Sequence, residues 1–288
     1  MEPVSISQEF RFTEKDFRSI QQLIYAHAGI ALGESKRNLV YSRISRRLRN
    51  HGLTRFSDYL ALLESNEDEC QPFINSLTTN LTSFFREQHH FPILAEHIRK
   101  LDTKKAIHLW CSAASTGEET YSMAMTVIDL FGTYTPPVRI MATDIDTQVL
   151  ETARTGVYGA ERVGHLTSSQ LKRFFLRGSG SNEGFVKVRP ELQDMVKFQQ
   201  LNLMDEQWPL KGPFDAIFCR NVMIYFDKMT QKRILDRFVH LMEPRGLLFA
   251  GHSENFQSVS NAFKPCGRTV YELIPPHSKN NLAKMHSS

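Results

Sequence analysis

Two adjacent carboxylates, Glu118 and Glu119, directly follow a run of small residues, Ser112-Ala113-Ala114-Ser115-Thr116-Gly117. Ahead of that run, Ile107-His108-Leu109-Trp110-Cys111 reads as a buried strand; behind the acids, Tyr121, Met125 and Ile128 carry a helical stripe. Strand, small-residue turn and helix N-terminus form the ligand-binding corner of a doubly wound α/β sheet, and small side chains let the backbone approach a ligand closely. A dinucleotide corner would carry G-x-G-x-x-G, whose amides and helix dipole hold a pyrophosphate. This one offers a single glycine and two acids, a poor cradle for phosphate and a reasonable one for a cation. S-adenosylmethionine carries a sulfonium and an ammonium and no phosphate, so it suits the corner better than NAD. A plain strand-to-helix corner that binds nothing is the competing reading.

A second acidic pair stands at the end of the next apolar run. Val138 to Thr143 reads as a strand ending in Asp144-Ile145-Asp146. An acid at the carboxyl end of the second strand is the usual partner of a ribose diol, which selects Asp144. Asp146 is placed to cap the helix that follows. Further on, Pro213 to Cys219 reads as a buried strand running into Arg220-Asn221-Val222-Met223-Ile224-Tyr225-Phe226, and strand ends of such sheets are where chemistry sits.

The elements that position these residues follow from periodicity. Strand patterns at Val196 to Leu201, Leu247 to Ala250 and Thr269 to Leu273, with helices from about Gln88 to Lys100 and Lys228 to Met242, complete an α/β domain over 106–274. Residues 157–200 break its rhythm. Phe185-Val186-Lys187-Val188-Arg189 alternates strictly after the Gly/Ser-rich stretch Gly178 to Gly184, which predicts an inserted antiparallel hairpin. Such an insert offers a strand edge that could accept a peptide. Residues 91–105 read as a helix and charged linker, and 275–288 as a polar, disordered tail.

The first 90 residues carry only helical patterns. Thr13 to Asp16 resembles a capping box, and Gly29 stops the first helix. The second helix, from about Glu34 to Asn50, buries Val40, Ile44 and Leu48. It carries Lys36, Arg37, Arg43, Arg46, Arg47 and Arg49 with no acid from Ser35 to Asn50. A solvated face and a docking surface for an acidic partner or nucleic acid both remain open.

With 288 residues and 41% hydrophobic content the chain can bury a core, and a net charge of +4 does not by itself select nucleic acid or membrane. Cys70, Cys111, Cys219 and Cys266 lie far apart, which suggests reduced thiols. With no signal-peptide pattern and no apolar run of membrane-spanning length, a cytoplasmic protein is expected. His89, His90 and His97 lack a carboxylate or Cys at ligand spacing, so no metal is expected. Gly251-His252-Ser253-Glu254 reads as the loop after a strand.

Five ordered stretches, TTNLTSFFRE, SAASTGEETYS, ATDID, FDAIFCRNVMIYF and LLFAGHSENF, together resemble the bacterial chemotaxis receptor methyltransferases, the CheR family. The resemblance spans about residues 14 to 274. It implies a Rossmann-like S-adenosylmethionine-dependent methyltransferase domain with an inserted small antiparallel β-subdomain, preceded by an all-helical N-terminal domain. It also implies methylation of glutamates on the cytoplasmic helical bundle of chemoreceptors, giving methyl esters and S-adenosylhomocysteine. The family's cofactor contacts fall on Asn80, Thr82, Arg86, Glu119, Asp144, Asn202, Leu203, Arg220 and Asn221. Glu119 would meet the amino-acid end of the cofactor, Asp144 the ribose, and Asn202 and Leu203 the adenine. The same resemblance places Arg86 and Tyr225 beside the transferring methyl. It makes Arg43, Arg46, Arg47 and Arg49 receptor-docking candidates, and in some members the β-subdomain binds a receptor C-terminal peptide. Rival readings are an RNA methyltransferase and a non-catalytic cofactor-binding scaffold. An NAD oxidoreductase is weakest, for want of the glycine fingerprint.

Overall fold

The computed structural model describes residues 9–275, so the expected tail lies outside the described residues apart from Pro275. The chain divides into two compact units, 1–79 and 80–288. The first holds α1 (Glu14–Ala28), α2 (Arg37–Asn50), α3 (Phe56–Ser65) and α4 (Cys70–Leu77). Thr13 and Asp16 form the expected capping box of α1, and Gly29 ends it at φ 67°. Phe17, Ile20, Val40, Ile44, Leu48, Phe56 and Phe73 fill the core of this unit.

The arginines of α2 are less free than the local sequence suggests. Glu69, only 3% exposed, accepts from Arg47 Nε at 2.8 Å, Arg47 Nη2 at 2.5 Å, Tyr59 Oη at 2.7 Å and His51 Nε2 at 2.9 Å. Burial works to raise the Glu69 carboxyl, but these bonds outweigh it and hold it below the usual carboxylate range. Arg49 pairs with Glu9 at 2.6 Å and Arg37 with Glu14 at 2.5 Å, while Arg43 donates to the Thr78 carbonyl at 2.5 Å. The compensating acids exist but stand on other segments. Arg46 is exposed and makes no ion pair among the described residues.

The second unit contains α5 (His90–Arg99), β1 (Ile107–Cys111), α6 (Glu118–Phe131), β2 (Val138–Asp144) and α7 (Thr147–Thr155). Then come β3 (Val157–Gly159), α8 (Ser168–Phe174), β4 (Phe175–Arg177), β5 (Phe185–Val188), α9 (Pro190–Gln193) and β6 (Val196–Gln200). β7 (Phe214–Cys219), α10 (Lys228–Leu241), β8 (Met242–Ala250), β9 (Phe263–Gly267) and β10 (Val270–Leu273) complete it. The large sheet has the order β6-β2-β1-β7-β8-β10-β9; β6 to β8 are parallel, and β10 pairs antiparallel with both neighbours. β1 lies near its centre, buried on both faces. Leu109 and Cys111 join the cluster with Met125 and Ile128, while Trp110 packs on the other side with Phe214 and Phe238. That is why its sequence is a continuous apolar run rather than an alternation.

Two boundaries differ from expectation. The helical unit ends at Thr79, not at 90, because residues 80 onward pack with the α/β unit. Phe84 is 1% exposed against Tyr158 and Phe175, the Phe85 N–H donates to Ser122 Oγ at 2.9 Å, and α5 buries Phe91, Leu94 and Ile98 in the same core. The insert forms a separate antiparallel sheet, β3-β5-β4, over 157–188, whereas β6 belongs to the large sheet beside β2.

Removing one partner of a buried ion pair strands the other charge, typically at a cost of about 3 kcal/mol or more. Arg47→Ala is therefore expected to lower the urea unfolding free energy by about that amount. Arg46→Ala should change it by less than about 0.5 kcal/mol.

Candidate functional site

The site grows from the turn after β1. The Ser112 N–H donates to the Phe218 carbonyl and the Ala114 N–H to that of Thr143, each at 2.8 Å, so the turn is fixed to the ends of β7 and β2. Gly117 adopts φ 97°, and a Cβ there would lie 2.9 Å from that of Ala153, so glycine alone lets α6 start this close to α7. Glu118 and Glu119 then sit in the first turn of α6, where the helix dipole favours carboxylates. Glu118 is fully buried and paired with Arg162 from the inserted segment. That leaves Glu119 as the acid facing the strand ends.

Asp144 ends β2 and is 7% exposed. Its Oδ2 accepts from the Ser115 N–H at 2.7 Å and its Oδ1 from the Asp146 N–H at 3.0 Å. Burial pushes its carboxyl up to about 6; those backbone donors oppose the rise and the neighbouring Asp146 charge adds to it. A carboxylate has about four acceptor sites, so capacity remains for the hydroxyls of a ligand. Asp146 caps α7 as expected, accepting from Gln148 and Val149, and also accepts from Asn80 Nδ2 at 2.7 Å. Ser115 Oγ donates to the Asn80 carbonyl at 2.9 Å, so the 80–89 loop lies over the β1 turn.

Arg220 is the centre of the charge arrangement. Its side chain is fully buried at the end of β7, with Nη1 2.6 Å from Glu119 Oε2, Nη2 2.6 Å from the Arg86 carbonyl, and Glu87 Oε2 at 3.4 Å. Its Nε has no acceptor among the described residues. Glu119 also accepts from Cys111 Sγ at 3.3 Å. Sequence reasoning assigned Glu119 to the ammonium of the cofactor; the structure gives it Arg220 as a protein partner as well. Glu87, which sequence reasoning missed, accepts from the His252 N–H at 3.1 Å and from Asn221 Nδ2 at 3.4 Å. Arg86 lies between Phe85 at φ 52° and Glu87 at φ 54°, both left-handed, and Asn221 adopts φ 58°. Non-glycine residues hold such angles only where their surroundings impose them.

The remaining sequence-selected residues are placed less tightly. Arg86 Nη1 donates to the Leu81 carbonyl at 2.8 Å, and Thr82 is half-buried in the same loop. Tyr225 is half-buried at the end of a 3-10 turn, Met223–Tyr225, that follows Arg220 and Asn221. Asn202 and Leu203 follow β6; Asn202 Oδ1 accepts from the Met204 N–H at 2.9 Å and Leu203 is buried.

Glu87, His89 and His90 bring ligand atoms within 4.8 Å of one another, so a carboxylate does stand beside the adjacent histidines. The Arg220 guanidinium already meets that carboxylate, and burial drives His90 down to about 3, which keeps it neutral. All four cysteines are free thiols, and no helix among the described residues is long and apolar enough to cross a membrane.

The site fits S-adenosylmethionine on its donor set. Asp144 keeps acceptor capacity for a diol, Glu119 is an anion suited to an ammonium, and the unpartnered Arg220 Nε suits a carboxylate.

Residues 80–272 match the family described as CheR methyltransferase, SAM binding domain, and residues 15–78 match its all-alpha domain. The chain is 54% identical over 272 residues to the chemotaxis protein methyltransferase of Escherichia coli, with 94% of each chain covered. It is 52% identical to chemotaxis protein methyltransferase 2 of Pseudomonas aeruginosa, over 93% of this chain and 96% of the other. Against the chemotaxis protein methyltransferase of Klebsiella aerogenes it is 56% identical, over 93% and 92%.

A diol held by Asp144 needs the ionised carboxylate, which is lost as pH falls through about 6. S-adenosylhomocysteine affinity, measured by calorimetry, is expected to be level above pH 7 and to weaken toward tenfold per pH unit below 6. Asp144→Asn should weaken it about ten- to hundredfold at pH 8 and flatten that dependence.

Proposed function

The chain belongs to the CheR methyltransferase family, and on that premise we propose that it methylates glutamate side chains on the cytoplasmic helical bundle of chemoreceptors, leaving methyl esters. The family's S-adenosylmethionine supplies the sulfonium methyl and leaves as S-adenosylhomocysteine. A glutamate side chain, with a reference pKa of about 4.3, reaches the site already ionised and needs no base.

The observation that carries this reading is the engagement of every acid around the strand ends. Glu119 pairs with Arg220, Glu87 accepts from the His252 N–H and faces Arg220, and Asp144 accepts two backbone N–H groups. Glu87, which despite its burial the Arg220 guanidinium holds below the usual carboxylate range, is a poor proton acceptor, and that suits a nucleophile that brings its own charge. The protein's work is then to align carboxylate oxygen, methyl carbon and sulfur, and to exclude water. Arg86 orients the incoming carboxylate and Tyr225 donates a hydrogen bond to it. Asn80, Thr82, Asn202, Leu203 and Asn221 complete the cofactor site.

Receptor docking rests on the α2 surface. Of the four arginines assigned to it, Arg46 carries the exposed, unengaged charge, whereas Arg43, Arg47 and Arg49 already have partners in their own unit. The small sheet supports a second contact, because β3 and β4 are its outer strands and Val157, Leu176 and Phe185 are exposed on it. A receptor C-terminal peptide would add a strand there. The RNA reading is weakened by the acids that neutralise most of the α2 arginines.

Labelled methyl transfer from S-adenosylmethionine to a chemoreceptor cytoplasmic fragment, followed by alkali, tests the proposal. The label is expected to leave as methanol, and Arg86→Ala and Tyr225→Phe should each cut turnover at least tenfold. Label stable to alkali would mean another acceptor atom.

A further inference from the structure

Strand β8 ends at Ala250, and the turn that follows carries a carboxylate back over the end of β7. Glu254 is only 5% exposed. Its Oε1 accepts from the Met223 N–H at 2.8 Å, and its Oε2 accepts from the Asn221 N–H at 2.9 Å and from the Gly251 N–H. No lysine, arginine or histidine forms an ion pair with it among the described residues; main-chain donors meet its charge. Burial raises its carboxyl, and the backbone donors of Gly251, Asn221 and Met223 pull the other way.

The donors it satisfies belong to an irregular segment. Asn221 is left-handed at φ 58°, and Met223–Tyr225 form a single 3-10 turn, so the Asn221 and Met223 N–H groups have no strand or helix to pair with. Left unpaired in this largely buried setting, each would be costly. Gly251 lets the two turns meet: a Cβ there would lie 2.4 Å from Asn221 Nδ2 and 2.7 Å from Asn221 N. The same segment begins with Arg220, which reaches Glu119, and ends with Tyr225.

We propose that Glu254 is a positioning residue for methyl transfer, its carboxylate setting the main chain from Arg220 to Tyr225 so that Tyr225 faces the incoming acceptor. It acts through that backbone and touches neither cofactor nor acceptor. The inference rests on the methyl-transfer reading above for its kinetic consequence, but not for its structural one.

E254Q keeps the shape and turns an amide N–H₂ toward at least one main-chain donor. E254D keeps the charge and withdraws the oxygens by one methylene. For both variants, kcat at saturating cofactor should fall between about ten- and hundredfold, the scale of a misplaced reacting group. The receptor-fragment KM should stay within about twofold, and the S-adenosylhomocysteine Kd should rise by less than kcat falls, because the same segment also carries Arg220 and Asn221 of the cofactor site. Hydrogen exchange should accelerate at least tenfold in peptides covering 220–226 and stay at the wild-type rate in those covering 112–120. Exchange and kcat at wild-type values in a variant that merely melts earlier would overturn the proposal, since Glu254 would then only stabilise the fold. If E254Q does not fold, E254D carries the same readouts. If the wild-type protein transfers no methyl to the receptor fragment, the proposed substrate fails, and exchange at 220–226 still decides whether Glu254 anchors the turn.

Discussion

A guanidinium with no exposed surface is expensive, costing several kcal/mol in lost hydration before any partner is counted. Arg220 tolerates that cost only because Glu119, the Arg86 carbonyl and Glu87 surround it. Those partners come from two other places in the chain, the first turn of α6 and the loop before α5, and meet Arg220 at the end of β7. Such a cluster adds little net stability, since desolvation cancels most of its attraction. Its consequence is geometric. It holds the segment carrying Arg86 against the segment carrying Tyr225, beneath the acids at the ends of β1 and β2.

Around this centre the acids divide by environment. Glu118 and Glu69 are structural, each buried against an arginine of its own unit. Asp146 caps a helix. Asp144 is buried, which lifts its carboxyl against the pull of its backbone donors into a range where pH controls its charge. Glu254 is likewise held by backbone N–H groups and shapes the chain rather than touching a ligand. Glu118 and Glu69 are thus supports, Asp144 stands with the Arg220-paired Glu119 at the working edge of the sheet, and Glu254 is the anchor behind it.

Much of this was legible in the sequence where the signal is local. β1 reads as a continuous apolar run because both of its faces are buried, and the turn that follows needs small residues because it is pinned to two neighbouring strands. Asp146 is recognisable as a cap, and Thr13 to Asp16 as a capping box, since their partners lie within three residues. β9 was not legible, for it is an edge strand exposed along most of its length and has no alternation to read. Long-range partners were equally hidden. Glu69 is 22 residues from Arg47, Glu254 is 33 from Asn221, and Arg86 is 134 from Arg220. The α2 arginines looked uncompensated because no acid is near them in sequence, and Glu87 looked unremarkable because Arg220, Asn221 and His252 all follow far downstream. The domain boundary moved for the same reason: only the fold reveals that residues 80–89 pack with the α/β unit.

The account's central claim is that Glu119 and Arg220 act as one unit that builds the cofactor site. A double-mutant cycle with Glu119→Gln, Arg220→Met and the combined variant tests it most directly, read by calorimetry as S-adenosylhomocysteine affinity. The account predicts strong coupling, the double variant losing less than the sum of the single losses by about 1.5 kcal/mol or more. Losses that add to within about 0.5 kcal/mol would mean that the two side chains act independently, and would contradict it.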